Sequence, residues 1–287
     1  MSELTIKNGA AVTKYLGTMG AGSTGDPYFS IPADFYTEVA KGNVPGHTIV
    51  HKFGGNPVVG TTFEPITSLG IYNTPQVSGA TTLRIKAGGD ANDTAAGTGA
   101  REITITGLDE TGAEVTETLA TAGASASSTT TATFIRFYRA YVSASGTYAT
   151  ASAGSHAQTI TIENGAGGTD WGAIPLDGFA KSQTHIGAYS VPLGKSAYLI
   201  SYSATIESTK TTEVIFFQRR NILETAAPYT SMREVFSLGT LAGQLSNPPE
   251  MMPIGPFPAL TDIGYMGRVA STSADVNVEF KILLVDD

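Results

Sequence analysis

From about residue 66 to the C-terminus the apolar residues of this chain recur with period two, and this alternation is the strongest constraint on what it can fold into. In VNVEFKILLV, Val276, Val278, Phe280, Ile282 and Leu284 alternate with Asn277, Glu279 and Lys281, which gives an extended strand one apolar and one polar face. In REITITG, Ile103 and Ile105 alternate with Glu102, Thr104 and Thr106; GLDETG then supplies a turn, and EVTETL returns as the partner strand of a hairpin. QTITIEN repeats the pattern at Ile160 and Ile162 before the turn dipeptide Asn164-Gly165. FIRFYRAYV, residues 134–142, carries bulky side chains on both faces and predicts a central or doubly covered strand.

The second half continues in the same manner. In SAYLISYSATI the spacing sets Tyr198, Ile200, Tyr202, Ala204 and Ile206 on one face and Ala197, Ser201, Ser203 and Thr205 on the other. EVIFFQRR follows after a polar turn and reads as the next strand, paired with it. NPPEMMPIGPFPAL is too rich in proline for a central strand and reads as a surface connection. Many short strands, frequent turns and almost no helix predict an all-β protein, a β-sandwich or jelly-roll-like fold in two modules with an extended N-terminal arm.

The expected organisation is an arm over 1–65, a first β-sandwich module over 66–168 and a second, jelly-roll-like module over 169–287. A single larger sandwich with an inserted subdomain is the alternative. The arm is rich in Gly, Pro and Thr, and its one helical candidate runs over 32–41. There Pro32 suits the first turn, Phe35 and Val39 share a face, and Gly42 closes the end. Such an arm gains its order by lying on a neighbour or on the protein's own sheet. Residues 120–133, ATAGASASSTTTAT, contain only Ala, Thr, Ser and Gly and build no core of their own. They read as a long exposed loop or as a Thr-rich strand edge packed on a partner, with the similar run GTYATASAGSHA near the same end of the molecule.

Composition narrows the function. Charged residues make up 15% of the chain against about a quarter in ordinary globular proteins, so Thr, Ser, Ala and Gly must cover the surface. That surface suits a subunit largely covered by neighbours in an assembly, or a secreted protein. The net charge of -8 argues against nucleic-acid binding, which needs clustered Lys and Arg. The one adjacent basic pair, Arg219-Arg220, reads as a solvated strand end. There is no cysteine, hence no disulfide framework and no thiolate chemistry. MSELTIKNGAAV lacks a signal-peptide core, and no apolar run reaches the roughly 18 residues of a membrane span, so no membrane partner is expected.

The chemistry-bearing residues are few. The four histidines are His47, His51, His156 and His185, and no G-x-S-x-G accompanies them. His47 and His51 stand four apart, but the β-branched residues between them favour a strand over a zinc-binding helix. Asp90 and Asp93 in GGDANDTAAG resemble a short calcium loop, since a hard cation needs oxygen ligands on a flexible turn. The EF-hand spacing is not met, and an ordinary turn is the preferred reading. Glu102, Asp109, Glu114 and Glu117 offer carboxylate pairs with only their proximity in sequence to recommend them. Trp171, Tyr189, Tyr198 and Tyr202 could stack on a sugar, although strand spacing favours core packing. GAGGT lacks the Lys and helix of a phosphate cradle. No catalytic or cofactor-binding residues and no cofactor are expected, and the chain reads as a non-enzyme.

ANDTAAGTGAREITITGLDETGAEVTETL, with TATFIRFYRAYV, AYSVPLGKSAYLISYSA, the terminal VNVEFKILLVDD and the upstream HKFGGNPVVGTTFEPI, resembles a family of virion structural proteins of tailed bacteriophages, many of them marine. The resemblance covers most of 47–287, and its motifs are structural. It implies a particle component located in the virion and assembled in the host cytoplasm, with other virion proteins as partners and homo-oligomerisation, a trimer favoured. No long amphipathic pattern supplies the spine helix of a major capsid protein. A capsid decoration or cement protein is the leading expectation. A neck or tail ring or adaptor component, and a glycan-binding head-fibre or adhesin module, are the alternatives.

Overall fold

A computed structural model describes residues 16–19, 29–32, 34–70, 79–147, 154–176, 180–247 and 253–287. A short antiparallel pair, β1 (Leu16–Met19) and β2 (Phe29–Pro32), is followed by the helix α1 (Phe35–Ala40). The strands after it are β3 (His47–Val59), β4 (Glu64–Pro65), β5 (Leu83–Ile85), β6 (Ala100–Leu108), β7 (Glu114–Ala120), β8 (Arg136–Ser145), β9 (Ile160–Asn164) and β10 (Asp170–Ile174). The second half adds β11 (Ala188–Ser190), β12 (Lys195–Ile206), β13 (Thr212–Arg219), β14 (Arg233–Leu241), β15 (Gly243–Asn247), β16 (Ile254–Phe257), β17 (Asp262–Val269) and β18 (Ala274–Asp286). The protein is nearly all β, as the alternation predicts.

Besides the β1–β2 pair, the described residues form two five-stranded and two three-stranded sheets, and their pairings are antiparallel. One five-stranded sheet has the order β15-β12-β18-β3 with β16 beside β12; the other has β11-β17-β13-β14 with β4 beside β17. The three-stranded sheets are β7-β6-β8 and β10-β9-β5. Together the four make a propeller-like, four-bladed arrangement and no clear jelly roll. Both five-stranded sheets feed one core, in which Val276, Val278 and Phe280 meet Val214, Phe216 and Tyr265. Phe216 is its hub, stacked on Phe236 at 5.2 Å and edge-on to Tyr265 at 4.9 Å. The three-stranded sheets share a second core around Ile103, Ile105, Phe137, Ile162 and Trp171.

Several sequence expectations change in the structure. Residues 47–59, assigned to the arm, form β3 and pair with β18 from Val59 opposite Ala274 to His47 opposite Val285. The order of this part of the arm comes from the protein's own C-terminal strand. The helix is shorter than expected: Asp34 caps it through a bond from the Tyr36 N–H, and Gly42 follows with φ +75°. Val39 and Val44 seat this segment against Ile200 and Leu283. The remainder of the predicted arm lies mostly outside the described residues. The boundary placed at 168/169 falls in the turn between β9 and β10, which pair with each other.

Strands β12 and β13 do not pair. The turn between them carries the chain from one five-stranded sheet to the other, so that β12 lies beside β18, β15 and β16, while β13 lies between β14 and β17. The single apolar face read along β12 is broken as well. Leu199 opposes Ile282 and Ser201 opposes Lys281, so Ile200 is an extra residue and the alternation changes phase there. Ala197 and Leu199 before the bulge, and Ala204 and Ile206 after it, all enter the main core, while Ile200 joins α1. Pro-rich 247–260 includes the short strand β16, whose Phe257 is buried in that core. Strand β8 is covered on both faces at Arg136, Phe137 and Tyr138, yet stands at the edge of its sheet.

The low-complexity run finds its partner inside the molecule. Ser127 and Thr130 are buried, and their hydroxyls accept from the N–H groups of Ile85 and Leu83 at 2.9 and 2.8 Å. Their own N–H groups bond to the carbonyls of the same two residues. The run thus lies along β5 and closes its open edge with small hydroxyl side chains, a task for which Thr and Ser are suited because hydroxyls both donate and accept. Glu117 holds the far end by accepting from the N–H groups of Thr131 and Ala132. The companion run is described on either side of residues 148–153, which lie outside the described residues.

Replacing Thr130 by Val keeps the shape but strands the buried Leu83 N–H, and chemical denaturation should show a loss of about 1–3 kcal/mol. Thr129→Val, at an exposed neighbour, should change stability by less than about 0.5 kcal/mol.

Candidate functional site

The calcium-loop reading rests on Asp90 and Asp93, and the structure uses both as internal acceptors. Asp90 Oδ1 accepts from the Asn92 N–H at 2.8 Å, an Asx turn. Asp93 is buried, its Oδ1 accepting from the N–H groups of Ala100 at 2.8 Å and Ala157 at 3.0 Å, and its Oδ2 from Gln158 at 3.2 Å. A side chain at Gly99 would lie 2.1 Å from Asp93 Oδ1, so glycine is needed where the carboxylate approaches the chain. The arrangement ties the loop before β6 to the segment before β9. A cavity of about 290 Å³ adjoins it, with Lys86 and Gln158 in its wall; Lys86 is held by Asp170 at 2.8 Å.

The other sequence candidates separate in space. Among the described residues no group of three His, Asp or Glu side chains could hold a metal ion. His47 Nδ1 lies 2.9 Å from the Pro45 carbonyl, and His51 pairs with Glu279. His156 is buried between Ser155 and the Pro175 carbonyl, and burial lowers its imidazole below the usual range. Asp109 accepts from the Thr111 hydroxyl and from the Thr111 and Ala113 N–H groups; burial pulls its carboxyl up, but these bonds together hold it below the usual value. Glu102 is exposed. Trp171 belongs to one core and Tyr189 to the other, while Tyr198 packs towards α1 and Tyr202 stacks on Phe236. These four aromatic residues form no common platform. Arg219, read as a solvated strand end, instead lies 3.5 Å from buried Asp262.

The most distinctive site lies where three sheets meet. A cleft of about 310 Å³ is bounded by β3, by the hairpin β6–β7 with β8, and by Tyr189 of β11. Lys52 forms one wall. It is only 8% exposed, its Nζ donates to the Tyr138 carbonyl, and it lies 5.5 Å from the centre of the Tyr138 ring. Among the described residues no carboxylate forms an ion pair with it. Burial first, and then the Arg139 charge, bring its amine down to about 7 from an ordinary 10.5.

Tyr138 is 4% exposed, and its ring lies 5.0 Å from that of Tyr189. Its hydroxyl sits near Glu114 and the Tyr189 phenol but makes a hydrogen bond of full geometry to neither. Burial, followed by Tyr189 and Glu114, raises the Tyr138 phenol well above the usual range; burial and Glu114 do the same for Tyr189. Sequence reasoning passed over both Lys52 and Tyr138. The signal for Lys52 was present: two residues beyond Val50 on one strand, it shares the face that turns towards the core. Nothing in the sequence brings Tyr138 to it, because their strands belong to different sheets.

No protein-family model matches this chain, and no curated protein is significantly similar to it.

Between about pH 7 and 10.5 the unfolded chain keeps a proton on Lys52 that the folded chain has released, so stability rises with pH across that window. Below about 7 both forms are protonated and the cost of the buried charge is carried in full. Lys52→Met should therefore be at least as stable as the parent at pH 6, by up to a few kcal/mol. That advantage should shrink as denaturation is repeated towards pH 10. At the Asp93 loop, Asp93→Asn should cost about 1–3 kcal/mol, because an amide cannot accept from every N–H the carboxylate holds. Added calcium should leave the parent melting temperature unchanged.

Proposed function

We propose that this protein is a non-enzymatic structural component of a tailed-phage virion, a capsid decoration or cement protein that stabilises the particle by contacts between subunits. The reading rests on the resemblance of its strand motifs to virion structural proteins. One structural observation supports it: the open edge at β14. This strand ends its sheet, pairing with β13 on one side. It carries exposed Arg233 and Glu234 beside Val235, Phe236 and Leu238, which pack on the main core, and exposed Met232 and Tyr229 lie just before it. Free monomers blunt such edges with charge, proline or a covering loop, whereas assembled subunits pair or cover them with a neighbour.

The body presented in this way is read as two β-sandwich modules, because each core is built mainly from two sheets. Buried Asp93, Ser127 and Thr130 are bonded to backbone groups, which suits a rigid scaffold. The partners are other virion proteins and further copies of this chain, a trimer favoured, in a particle assembled in the host cytoplasm.

The native mass of the purified protein at micromolar concentration, together with its copy number in purified particles, tests this. A trimer that copurifies stoichiometrically and resists high salt is the expected result. Tyr229→Lys with Met232→Lys should weaken that assembly without lowering the melting temperature of the subunit. A ring of six or twelve subunits moves the role to the neck or tail. Loss from particles at high salt, with a monomeric native mass, overturns the cement reading in favour of a dissociable adhesin.

A further inference from the structure

Two polar groups in the wall of the three-sheet cleft have hydrogen-bonding capacity that the protein does not use. The Lys52 amine gives one bond, to the Tyr138 carbonyl, and faces no ion-paired carboxylate among the described residues. The Tyr138 hydroxyl is buried without a partner in the same wall. Leaving a buried polar group unmatched is costly, and an unmatched hydroxyl beside an amine with donors to spare, both in the wall of one cavity, is what a binding site offers.

The surrounding chemistry narrows the occupant. Arg139 lines the cleft as a second cation, engaged with Gln183 and lying 5.1 Å from the Tyr141 ring. His51 also reaches it but is paired with Glu279. Glu114 places one negative charge on the β7 side, which opposes a doubly charged ligand and can accept from a ligand hydroxyl. The rings of Phe53 and Tyr141 offer apolar faces, and the hydroxyls of Thr106, Thr116 and Thr184 offer further polar contacts. A single negative charge, several hydroxyls and an apolar ring face are the properties this wall complements.

We propose that the cleft binds a small hydroxylated carboxylate, an acidic sugar of hexuronic-acid size, with its carboxylate drawn to Lys52 and Arg139 and one of its oxygens accepting from the Tyr138 hydroxyl. The proposal does not depend on the role of the protein in a particle. A bound carboxylate favours the charged form of Lys52, so above about pH 7 binding takes up a proton and weakens as pH rises. The other titratable and charged residues of the cleft wall are His51 beside Lys52 on β3, Glu114 from β7, Tyr138, Arg139 and Tyr141 from β8, and Tyr189 from β11. Of these, Tyr138 and Tyr189 stay protonated throughout that range.

Calorimetric titration of the intact chain with sodium glucuronate, at pH 6 and pH 8.5, tests the site. The expected result is one saturable site per chain, tighter at pH 6, with proton uptake at pH 8.5 revealed by buffers of different ionisation enthalpy. Glucose, which keeps the ring and hydroxyls but lacks the carboxylate, should bind weaker by roughly tenfold or more, the loss of one charge-assisted contact. Lys52→Met should abolish that preference while melting as a folded protein, and Tyr138→Phe should weaken glucuronate severalfold. Absence of saturable glucuronate binding, equal binding of glucose, inorganic phosphate binding as tightly, or undiminished affinity in Lys52→Met would each overturn the proposal.

Discussion

The buried pair of Arg136 and Asp262 joins the two halves of the molecule. Arg136 on β8 is fully buried and Asp262, 126 positions later at the start of β17, is nearly so. The guanidinium reaches both carboxylate oxygens, through Nε at 3.0 and 3.1 Å and through Nη2 at 2.9 Å, and its Nη1 donates to the Ile135 carbonyl. The Ser190 hydroxyl donates to Asp262 at 2.6 Å. Two desolvated charges rarely add stability beyond what apolar residues of the same volume would give, but removing one of them is severe. Their effect is therefore chiefly one of register. The ion pair forms only when a strand of a three-stranded sheet, a strand of a five-stranded sheet and the end of β11 come together in one arrangement, and that arrangement is the one that leaves the Lys52 cleft beside it.

What could be read from the sequence follows from the range of the interactions. Period-two alternation is local, and it located β6, β7, β9 and β18 and the face that β18 buries. The β6–β7 hairpin was equally legible, since Asp109 and Gly112 sit in its turn and the bonds made by Asp109 are all within four residues. Sheet membership is not local. Strands β12 and β13 are neighbours in sequence with a plausible turn between them, yet they belong to different sheets that share the core around Phe216. The bulge at Ile200 was hidden for a related reason. SAYLISYSATI has apolar residues at both parities, and only pairing with Ile282 and Lys281 decides where the phase changes.

The low-complexity run shows the same limit from the other side. Composition correctly says that ATAGASASSTTTAT builds no core, but it cannot identify Ser127 and Thr130 as the two hydroxyls that meet β5. The Asp93 loop is a comparable case. Asp and Asn among glycines read equally well as a cation loop or a turn, and the decision comes from Ala100, Ala157 and Gln158, two of them more than sixty positions away, whose N–H groups occupy the carboxylate. Candidate sites were judged on motif and spacing, and neither can register that Lys52 and Tyr138 approach across a sheet boundary.

These cases share a physical cause that also accounts for the composition. With few charges available, the chain satisfies parts of its irregular backbone with short polar side chains: Asp93, Asp109, Ser127 and Thr130 each accept from one or more N–H groups. This allows loops to pack closely against the strands. It also makes the exceptions informative. The buried hydroxyls of Thr67, Thr212, Thr261 and Tyr265 lack partners as well, but the unmatched Tyr138 hydroxyl belongs to the same cleft wall as a buried lysine that makes one bond. Packing alone would have placed Leu and Phe at positions 52 and 138. The polar groups there make physical sense when their missing partner comes from outside the chain.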